Sequence, residues 1–525
     1  MQEILDLFIA TKISANLFYM AIPLILLAVV VSASYLDRKS VPVILVALFA
    51  GIIFGSDGLK FWNFDNVKLA NDLANLALVL ILFHGGFCTK KENLKSVALP
   101  ALGLATWGVV LTAIFTFVCL HFLLGWDRNV AILLSVIISS TDAAAIFSIL
   151  SKQALDDKLK STIEIESGAN DPMAILLTVV AIQALTSGGD LSYGAFAGLF
   201  LWKFISAPIL GFVIAKCMVW LINKLTPQES GYYHILLLCT PLFAYGFSEV
   251  FNASGMLAAF TAGIVMGNKQ FVHKQGVYHF SSAVSTIANI LLFVLLGVLV
   301  SPSSWLENSV HLSGKLFLNG ILLFLFLSFI ARPAAIFLGT IGMKIPFRDR
   351  LFIAWAGLRG AVPISLATYP AAAGMASGME IFNLVFFAVL LSVGFQGSSL
   401  GKIAKLLKLS TPSRPEPPYS LEFFTKSSMD TDEKMDLFTV DLPGPEDAQG
   451  PFIRDLELPE DALLLMITRK QKQLKKQSWQ VLPPKGDIAL CGLDQITVLS
   501  KIEDEEKVKE TLLKSFEKEA YVDLR

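Results

Sequence analysis

One apolar stretch of the chain reads Glu164-Ile165-Glu166-Ser167-Gly168-Ala169-Asn170-Asp171-Pro172, with three carboxylates and a carboxamide close together. A charge inside a bilayer costs roughly 2.5–3.5 kcal/mol on insertion scales, so acids there are kept for a function. Ser139-Ser140-Thr141-Asp142 lies one apolar segment earlier, and Arg332 and Arg359 lie in later ones. Oxygen ligands suit a hard cation, and a carboxylate also carries a proton. The cluster therefore reads as an ion and proton site buried in a helix bundle.

Helical spacing sorts these residues. Positions four apart differ by about 40° around a helix and positions seven apart by about 20°. Glu164, Ser167 and Asp171 then share one face, and Glu166 and Asn170 the face beside it. Asp171 falls about 12 residues, or about 18 Å, into its span, near mid-membrane, and is the expected cation carrier. Glu164 lies about 10 Å towards the cytoplasm, either lining a water-filled funnel or as a solvated interfacial acid. Hydroxyls and a carboxylate in a row compete for backbone partners and weaken a helix, so Ser139–Asp142 predicts an unwound stretch. Its carbonyls and the Thr141 hydroxyl suit a cation, and Asp142 suits the positive end of a neighbouring helix. A helix cap is the plainer reading of Thr141-Asp142. Gly357-Leu358-Arg359-Gly360-Ala361-Val362-Pro363 surrounds a buried arginine with helix breakers and predicts a second broken helix. Arg332 and Arg359 are either core charges or snorkelling residues near a helix end. Glu249 fits a structural hydrogen bond or a funnel lining, and His84 fits packing, a helix cap or a proton carrier.

Charge then suggests mechanism. Asp142, Glu166 and Asp171 set against Arg332 and Arg359 leave one negative charge, which one monovalent cation or one proton cancels. Either loaded form crosses readily and the empty ionised form badly, which is coupled exchange. An amide at Asn170, where a second acid would carry a second proton, favours one-for-one electroneutral stoichiometry.

The elements that hold this site are membrane spans. The 525 residues are 54% apolar with a net charge of −1 and a mean hydropathy of +0.63, and long apolar runs recur to about Lys408. Such a chain is an all-α polytopic membrane protein. Breakers divide it into thirteen predicted spans, at 14–35, 40–57, 68–87, 97–124, 129–150, 159–185, 194–224, 232–250, 254–268, 282–301, 312–341, 349–370 and 379–400. Lysine and arginine concentrate in alternate loops, among them Arg38-Lys39, Lys90-Lys91 and Lys344 to Arg350. That bias puts the N-terminus outside and the C-terminus in the cytoplasm. The start, Met1 to Phe18, lacks a basic region and cleavage site and reads as the approach to the first span. Broken fifth and twelfth spans fit an inverted repeat, although the two halves share no visible sequence similarity. Cys88, Cys119, Cys217, Cys239 and Cys491 have no paired spacing and read as packing residues. No cofactor, resident metal, enzymatic centre or nucleic-acid surface is expected.

The expected domains are 1–408 in the membrane, a linker at 409–434, a small α+β domain at 435–503 and a charged helix at 504–525. The linker is rich in Ser, Thr, Pro and charge. Strands are predicted at Leu437–Leu442, Ala462–Thr468, Trp479–Leu482 and Gln495–Ser500, and a helix at Glu503–Glu519.

Four motifs carry a family resemblance: Ser-Thr-Asp-Ala-Ala (140–144), Glu-Ser-Gly-Ala-Asn-Asp-Pro (166–172), Ala-Arg-Pro (331–333) and Gly-Leu-Arg-Gly-Ala-Val-Pro (357–363). Over residues 14–408 the chain resembles the CPA1 class of monovalent cation:proton antiporters, and the bacterial NhaP-type exchangers in particular. The resemblance implies a homodimer in the bacterial inner membrane, with a dimerisation domain and a six-helix core that moves like an elevator. It implies ion binding at Asp171, Ser167 and Thr141, and a structural ion pair between Glu166 and Arg332. Leu458-Pro459-Glu460-Asp461-Ala462-Leu463, Leu482-Pro483-Pro484-Lys485-Gly486-Asp487 and Gly492-Leu493-Asp494-Gln495-Ile496-Thr497-Val498 resemble a TrkA-C (RCK-C) regulatory domain. The ligand class of such a tail stays open between a nucleotide, a divalent ion and simple dimer tethering. The combination is similar to bacterial K⁺/H⁺ antiporters of the cell-volume-regulation type.

One departure bears on the ion. Sodium-selective members of that class carry an acid where Phe83-His84-Gly85-Gly86 has His84. A missing carboxylate lowers the field strength and weakens selection for the smaller, more strongly hydrated ion, which argues for K⁺ over Na⁺. The competing functions are a Na⁺/H⁺ antiporter of the same class and a cation channel gated by the tail. Against the channel, no Thr-Val-Gly-type filter is present.

Overall fold

A computed structural model describes residues 23–32, 43–55, 57–58, 66–89, 103–142, 157–186, 193–225, 229–269, 271–306, 314–343, 345–409, 435–443, 448–459, 461–473, 476–501 and 504–520, with positions 20, 35 and 155. The chain forms two compact units, Met1–Ser410 and Thr411–Arg525. Most of the expected linker, 410–434, lies outside the described residues.

The first unit is helical. Its helices are α1 Pro23–Ser32, α2 Val43–Phe54, α3 Val67–Cys88, α4 Leu104–Leu123, α5 Arg128–Ile137, α6 Asp157–Thr186 and α7 Tyr193–Leu225. They continue as α8 Ser230–Val250, α9 Gly255–Gly267, α10 Lys274–Leu299, α11 Leu316–Gly339, α12 Phe347–Ala356, α13 Ala361–Ala372 and α14 Gly378–Leu406. Among the described residues seven helices are long and apolar enough to cross a membrane, namely α3, α4, α6, α7, α10, α11 and α14. Helices α12 and α13 pass the same test together, bent by 48° at a short break, for up to eight crossings. Helical residues occur in every one of the thirteen predicted stretches, but α1, α2, α5 and α9 are short apolar helices. By length and composition the structure thus accounts for fewer crossings than the hydropathy pattern predicts.

Local chemistry explains where α5 stops. The Ser135 hydroxyl donates to the Ile132 carbonyl and the Ser139 hydroxyl to the Val136 carbonyl, at 2.8 and 2.6 Å. Such back-bonding draws the last carbonyls away from the helical ladder. The chain leaves the helix at Ile138 and stays non-helical through Asp142, and residues 143–154 lie outside the described part. Elsewhere α4, α11 and α14 contain π-helical turns, at Leu104–Gly108 and Cys119–Leu123, at Leu327–Ala331 and at Ser392–Gly397. A π turn inserts one residue and rotates the side chains after it, which re-aims Arg332.

Packing is closest where small residues let backbones touch. Helix α9 lies against α3 and α7, and a methyl group at Gly263 would collide with the Phe83 carbonyl. Leu201, Ile205, Ile209, Val213 and Trp220 on α7 are exposed, an apolar surface suited to lipid rather than water.

The second unit holds a four-stranded antiparallel sheet in the order β1-β6-β3-β4, with β1 Met435–Asp441, β3 Leu463–Gln473, β4 Lys476–Leu482 and β6 Gln495–Lys501. Strands β2 Gln449–Phe452 and β5 Ala489–Cys491 pair separately. The final helix, α15, spans Glu505–Ala520. Phe438, Val440, Ile467, Ile496 and Val498 from the sheet meet Val508, Leu512 and Phe516 of α15 in one core. The alternation that predicted the four longer strands is the alternation that fills this core. Strands β2 and β5 were not predicted, because Gln449-Gly450-Pro451-Phe452 and Ala489-Leu490-Cys491 are too short to show a period. Arg469 crosses from β3 to Asp494, at 2.7 Å, and donates to the Ala489 carbonyl at 2.5 Å. This partly buried pair pins β5 to the main sheet. The Asp494 side chain, 1% exposed, also accepts from the Cys491 amide at 2.8 Å.

Candidate ion site in the membrane unit

Two unwound stretches meet at the centre of the unit. One follows α5 (Ile138 to Asp142) and the other separates α12 from α13 (Gly357 to Gly360). The Asp142 amide donates to the Leu358 carbonyl at 2.8 Å. The Asp142 carboxylate accepts from the Ala361 amide at 3.0 Å, at the first residue of α13. In return the Arg359 guanidinium donates to the Ser139 carbonyl at 2.7 Å and to the Ser140 carbonyl, both just past the end of α5. A negative group at a helix N-terminus and a positive one at a C-terminus each oppose the local helix dipole. The stretches approach so closely that only glycine fits: a Cβ at Gly360 would collide with the Asp142 carboxylate, and one at Gly357 would lie 2.6 Å from Arg332 Nε.

Helix α6 lies against this crossing. Asn170 uses its whole carboxamide: Nδ2 donates to Thr141 Oγ1 at 2.6 Å and to Glu166 Oε1 at 3.0 Å, and Oδ1 accepts from the Thr141 amide at 3.2 Å. The Thr141 and Ser167 hydroxyls share a hydrogen bond of 2.8 Å. The helical wheel put Ser167 and Asn170 on neighbouring faces, and Thr141 touches both because it sits over their boundary. Glu166 turns to α11, where Arg332 Nη2 donates to both carboxylate oxygens at 2.9 and 3.0 Å. Both side chains of that pair are 1% exposed, and Arg359 is buried as well, so both arginines are core charges rather than snorkelling residues.

Asp171 differs from its neighbours. It is buried, and among the described residues its Oδ1 has no hydrogen-bond partner. Its charged neighbours are Asp142, Glu166 and Arg359. Glu166 and Asp142 are committed to partners, and the Asn170 carboxamide is taken up by its three hydrogen bonds. The free oxygen of Asp171, one helical turn along α6 from Ser167, is a buried carboxylate oxygen that, as a matter of chemistry, can take a proton or ligate a cation. Leaving such an oxygen unsatisfied costs about 1–3 kcal/mol or more, which a bound cation or proton would recover.

The other sequence candidates are placed elsewhere. His84 on α3 pairs with Ser281 of α10 (Nδ1 to Oγ, 3.1 Å) and with Cys88 (Nε2 to Sγ, 3.5 Å), beside the Tyr278 ring. Those contacts tie it to α10 rather than to Asp171. Glu249 accepts from the Gly255 amide at 2.9 Å and caps the start of α9. The Glu164 side chain lies outside the described part, although its backbone belongs to α6. Sequence reasoning missed Ser392 and Gln396. The Ser392 hydroxyl accepts from the Arg359 amide at 3.1 Å and donates to Gln396 at 2.6 Å, holding the break from α14. The signal was a serine and a glutamine four apart in an apolar span.

Residues 24–406 match the family described as sodium/hydrogen exchanger, transmembrane. The chain belongs to that exchanger family. A K(+)/H(+) antiporter NhaP of Alkalimonas amylolytica is 32% identical over 490 residues, covering 93% of this chain and 83% of its own. A K(+)/H(+) antiporter NhaP2 of Shewanella oneidensis is 34% identical over 489 residues, covering 92% and 82%. The Na(+)/H(+) antiporter 1 of Methanocaldococcus jannaschii is 26% identical over 370 residues, covering 66% and 82%. Among solved structures, the sodium proton antiporter MjNhaP1 from M. jannaschii at pH 8 superposes with a TM-score of 0.63 at 24% identity, covering 74% of this chain and 99% of that one. That likeness establishes a shared fold. The exchanger family is one of multi-pass membrane transporters, and the helical unit described above is this chain's version of it.

Proposed function

We propose that the protein is a secondary antiporter that moves cytoplasmic K⁺, and Na⁺ as a second cargo, out of the cell in exchange for external H⁺. The observation that carries this reading is the buried oxygen of Asp171, unpartnered among the described residues and one helical turn from Ser167, whose hydroxyl bonds Thr141 at a crossing of broken helices. Asp171 is the group that holds either the cation or the proton. Ser167 and Thr141 supply neutral oxygens, and Asn170 and Asp142 hold that geometry in place. The Glu166–Arg332 pair is structural, and Arg359 neutralises the carbonyl end of α5. Exchange is one for one and electroneutral, because a single carboxylate changes its load. K⁺ as the main cargo is supported by the names of the relatives matched over most of the chain. The M. jannaschii relative supports Na⁺.

The unit crosses a bacterial inner membrane thirteen times, with its N-terminus outside and two inverted repeats, and works as a homodimer. The second unit is a cytoplasmic TrkA-C-like regulatory domain that takes a small molecule or ion. In the cell the exchange serves pH, cation and volume homeostasis.

The test is transport in proteoliposomes. An imposed K⁺ gradient should move protons with no net current, and Asp171→Asn should abolish exchange while leaving a folded protein. Wild-type rates in that variant would reject the site, and current driven by voltage alone would reject antiport in favour of a channel. Repeating the assay with Li⁺, Na⁺, K⁺ and Rb⁺ ranks the cargo ions.

A further inference from the structure

Small residues and buried charge sort the helices of the membrane unit into two stiff groups. On one side α3 touches α9 backbone to backbone: a Cβ at Gly86, Gly263 or Gly267 would lie 2.1–2.3 Å from a carbonyl oxygen of the facing helix. Gly51 of α2 and Gly297 of α10 lock those two helices in the same way, and α10 packs on α3. On the other side the buried bonds of Asp142, Glu166, Arg359 and Ser392 tie together the end of α5, α6, α11, the α12–α13 break and α14. Backbones in contact leave no slack, and a buried polar network resists shear by the cost of unpairing it.

The two groups meet along α3 and α13, and there polar side chains make the contact. Asn71 and Asn75, one turn apart on α3, accept from the Thr368 hydroxyl at 2.9 Å and from the Tyr369 hydroxyl at 2.6 Å. Ser365 lies on the same face of α13, one turn nearer the break. It is fully buried, and among the described residues its hydroxyl oxygen has no partner. One turn further, the Ala361 amide holds Asp142, a charged neighbour of Asp171. From Tyr369 to Ala361 is about 12 Å along the helix. Beyond Tyr369, Asp72 of α3 and Glu249 of α8 are exposed and lie within electrostatic reach of its hydroxyl, so the seam opens on a surface that attracts cations.

We propose that the Asn71–Thr368 and Asn75–Tyr369 bonds are a latch that shuts the α3–α13 seam on the way to Asp171, and that the latch parts and re-forms in every exchange cycle. This rests on the antiporter reading, in which Asp171 is reached from each side in turn, and it names what closes one of those sides. In the proposed topology α3 starts outside, so the latch shuts the external approach. Side-chain hydrogen bonds suit a seam that must part, because each contributes little net free energy and water replaces it on opening. Ser365 is then the first group uncovered behind the latch.

Thiol labelling of a Ser365→Cys protein in lipid nanodiscs tests the latch without reference to transport. The probe is a charged methanethiosulfonate, read residue by residue by mass spectrometry. Adding Thr368→Val and Tyr369→Phe removes both donors and nearly keeps their shapes, and should speed labelling at position 365 about tenfold. Native Cys88, at the far end of α3, should react at an unchanged rate. Equal rates at position 365 with and without the donors overturn the proposal, and so does a rise shared by Cys88, which would mean general loosening. A second arm joins the two helices. An Asn71→Cys, Thr368→Cys protein oxidised to a disulfide should lose K⁺-driven proton movement in vesicles and regain it with dithiothreitol. Undiminished exchange by the cross-linked protein overturns the latch. No exchange by the wild-type protein sinks the antiporter reading instead, and labelling at position 365 then decides the latch alone.

Discussion

Removing Arg332 tests whether Glu166 is structural or a carrier. Arg332 Nη2 makes two hydrogen bonds to the Glu166 carboxylate, at 2.9 and 3.0 Å, between side chains that are 1% exposed. In Arg332→Ala the carboxylate keeps only the Asn170 amide, and a buried charge stripped of its partner costs about 3–5 kcal/mol. Glu166→Gln should cost a similar amount, because among the described residues Arg332 Nε and Nη1 have no hydrogen-bond partner, so the guanidinium depends on Glu166. The two single variants therefore should not add. Glu166→Gln combined with Arg332→Met removes both charges and should recover all but about 2 kcal/mol, since a neutral pair of similar volume often replaces a buried ion pair at little cost. The cycle, closed with the Arg332→Met single variant at a cost similar to Arg332→Ala, then gives a coupling energy of about 4 kcal/mol or more. The assay is unfolding of purified protein in mixed micelles by denaturant titration, with transport measured on the same samples. A loss below about 1 kcal/mol in Arg332→Ala, or a double variant equal to the sum of the singles, refutes the reasoning. An Arg332→Ala protein of normal stability but altered transport kinetics would move Glu166 into the ion path.

Other outcomes follow from the same geometry. Gly360→Ala would place a methyl group on the Asp142 carboxylate, and should cost about 3 kcal/mol or more in the same unfolding assay and silence transport. Gly168→Ala, whose new methyl would lie 3.8 Å from the Phe260 ring, should stay within about 1 kcal/mol of the parent. His84→Asp restores the acid of the sodium-selective pattern and should shift cargo preference towards Na⁺ in vesicles; an unchanged ion preference and pH optimum would dismiss a selectivity role for His84. In the second unit, burial pushes the Cys491 thiol up, with Arg469 pulling against it. Its thiolate is therefore scarce at neutral pH, and iodoacetamide labelling followed by mass spectrometry should reach half its maximal rate only above about pH 8.5. Half-maximal reactivity below that pH would show that Arg469 outweighs burial.

Much of the site was legible because membranes make polar residues conspicuous. Glu166, Asp171, Arg332 and Arg359 stood out from apolar surroundings by cost alone, and the breakers around Arg359 marked the α12–α13 break. In the tail, alternation located the four long strands. Contact partners between distant segments were another matter. The mutual capping by Asp142 and Arg359 joins residues 219 apart or more, and no period or spacing reports on such a pair. The role of His84 was equally invisible, since its partner Ser281 lies 197 positions away.

By itself, the sequence determined that this chain is a polytopic helical protein with a small strand-containing unit, which charges stand out in apolar spans, and where two helices break. Those are properties of composition and local backbone chemistry, set by the transfer cost of each residue and by competition of side chains for backbone partners. Only the tertiary structure decided which buried charges neutralise one another and which one is left over. Pairing depends on close approach in space, here allowed by Gly357 and Gly360 and by the π turns of α11 and α14. It uses up Asp142, Glu166 and Asn170, and among the described residues leaves the Oδ1 of Asp171 without a partner.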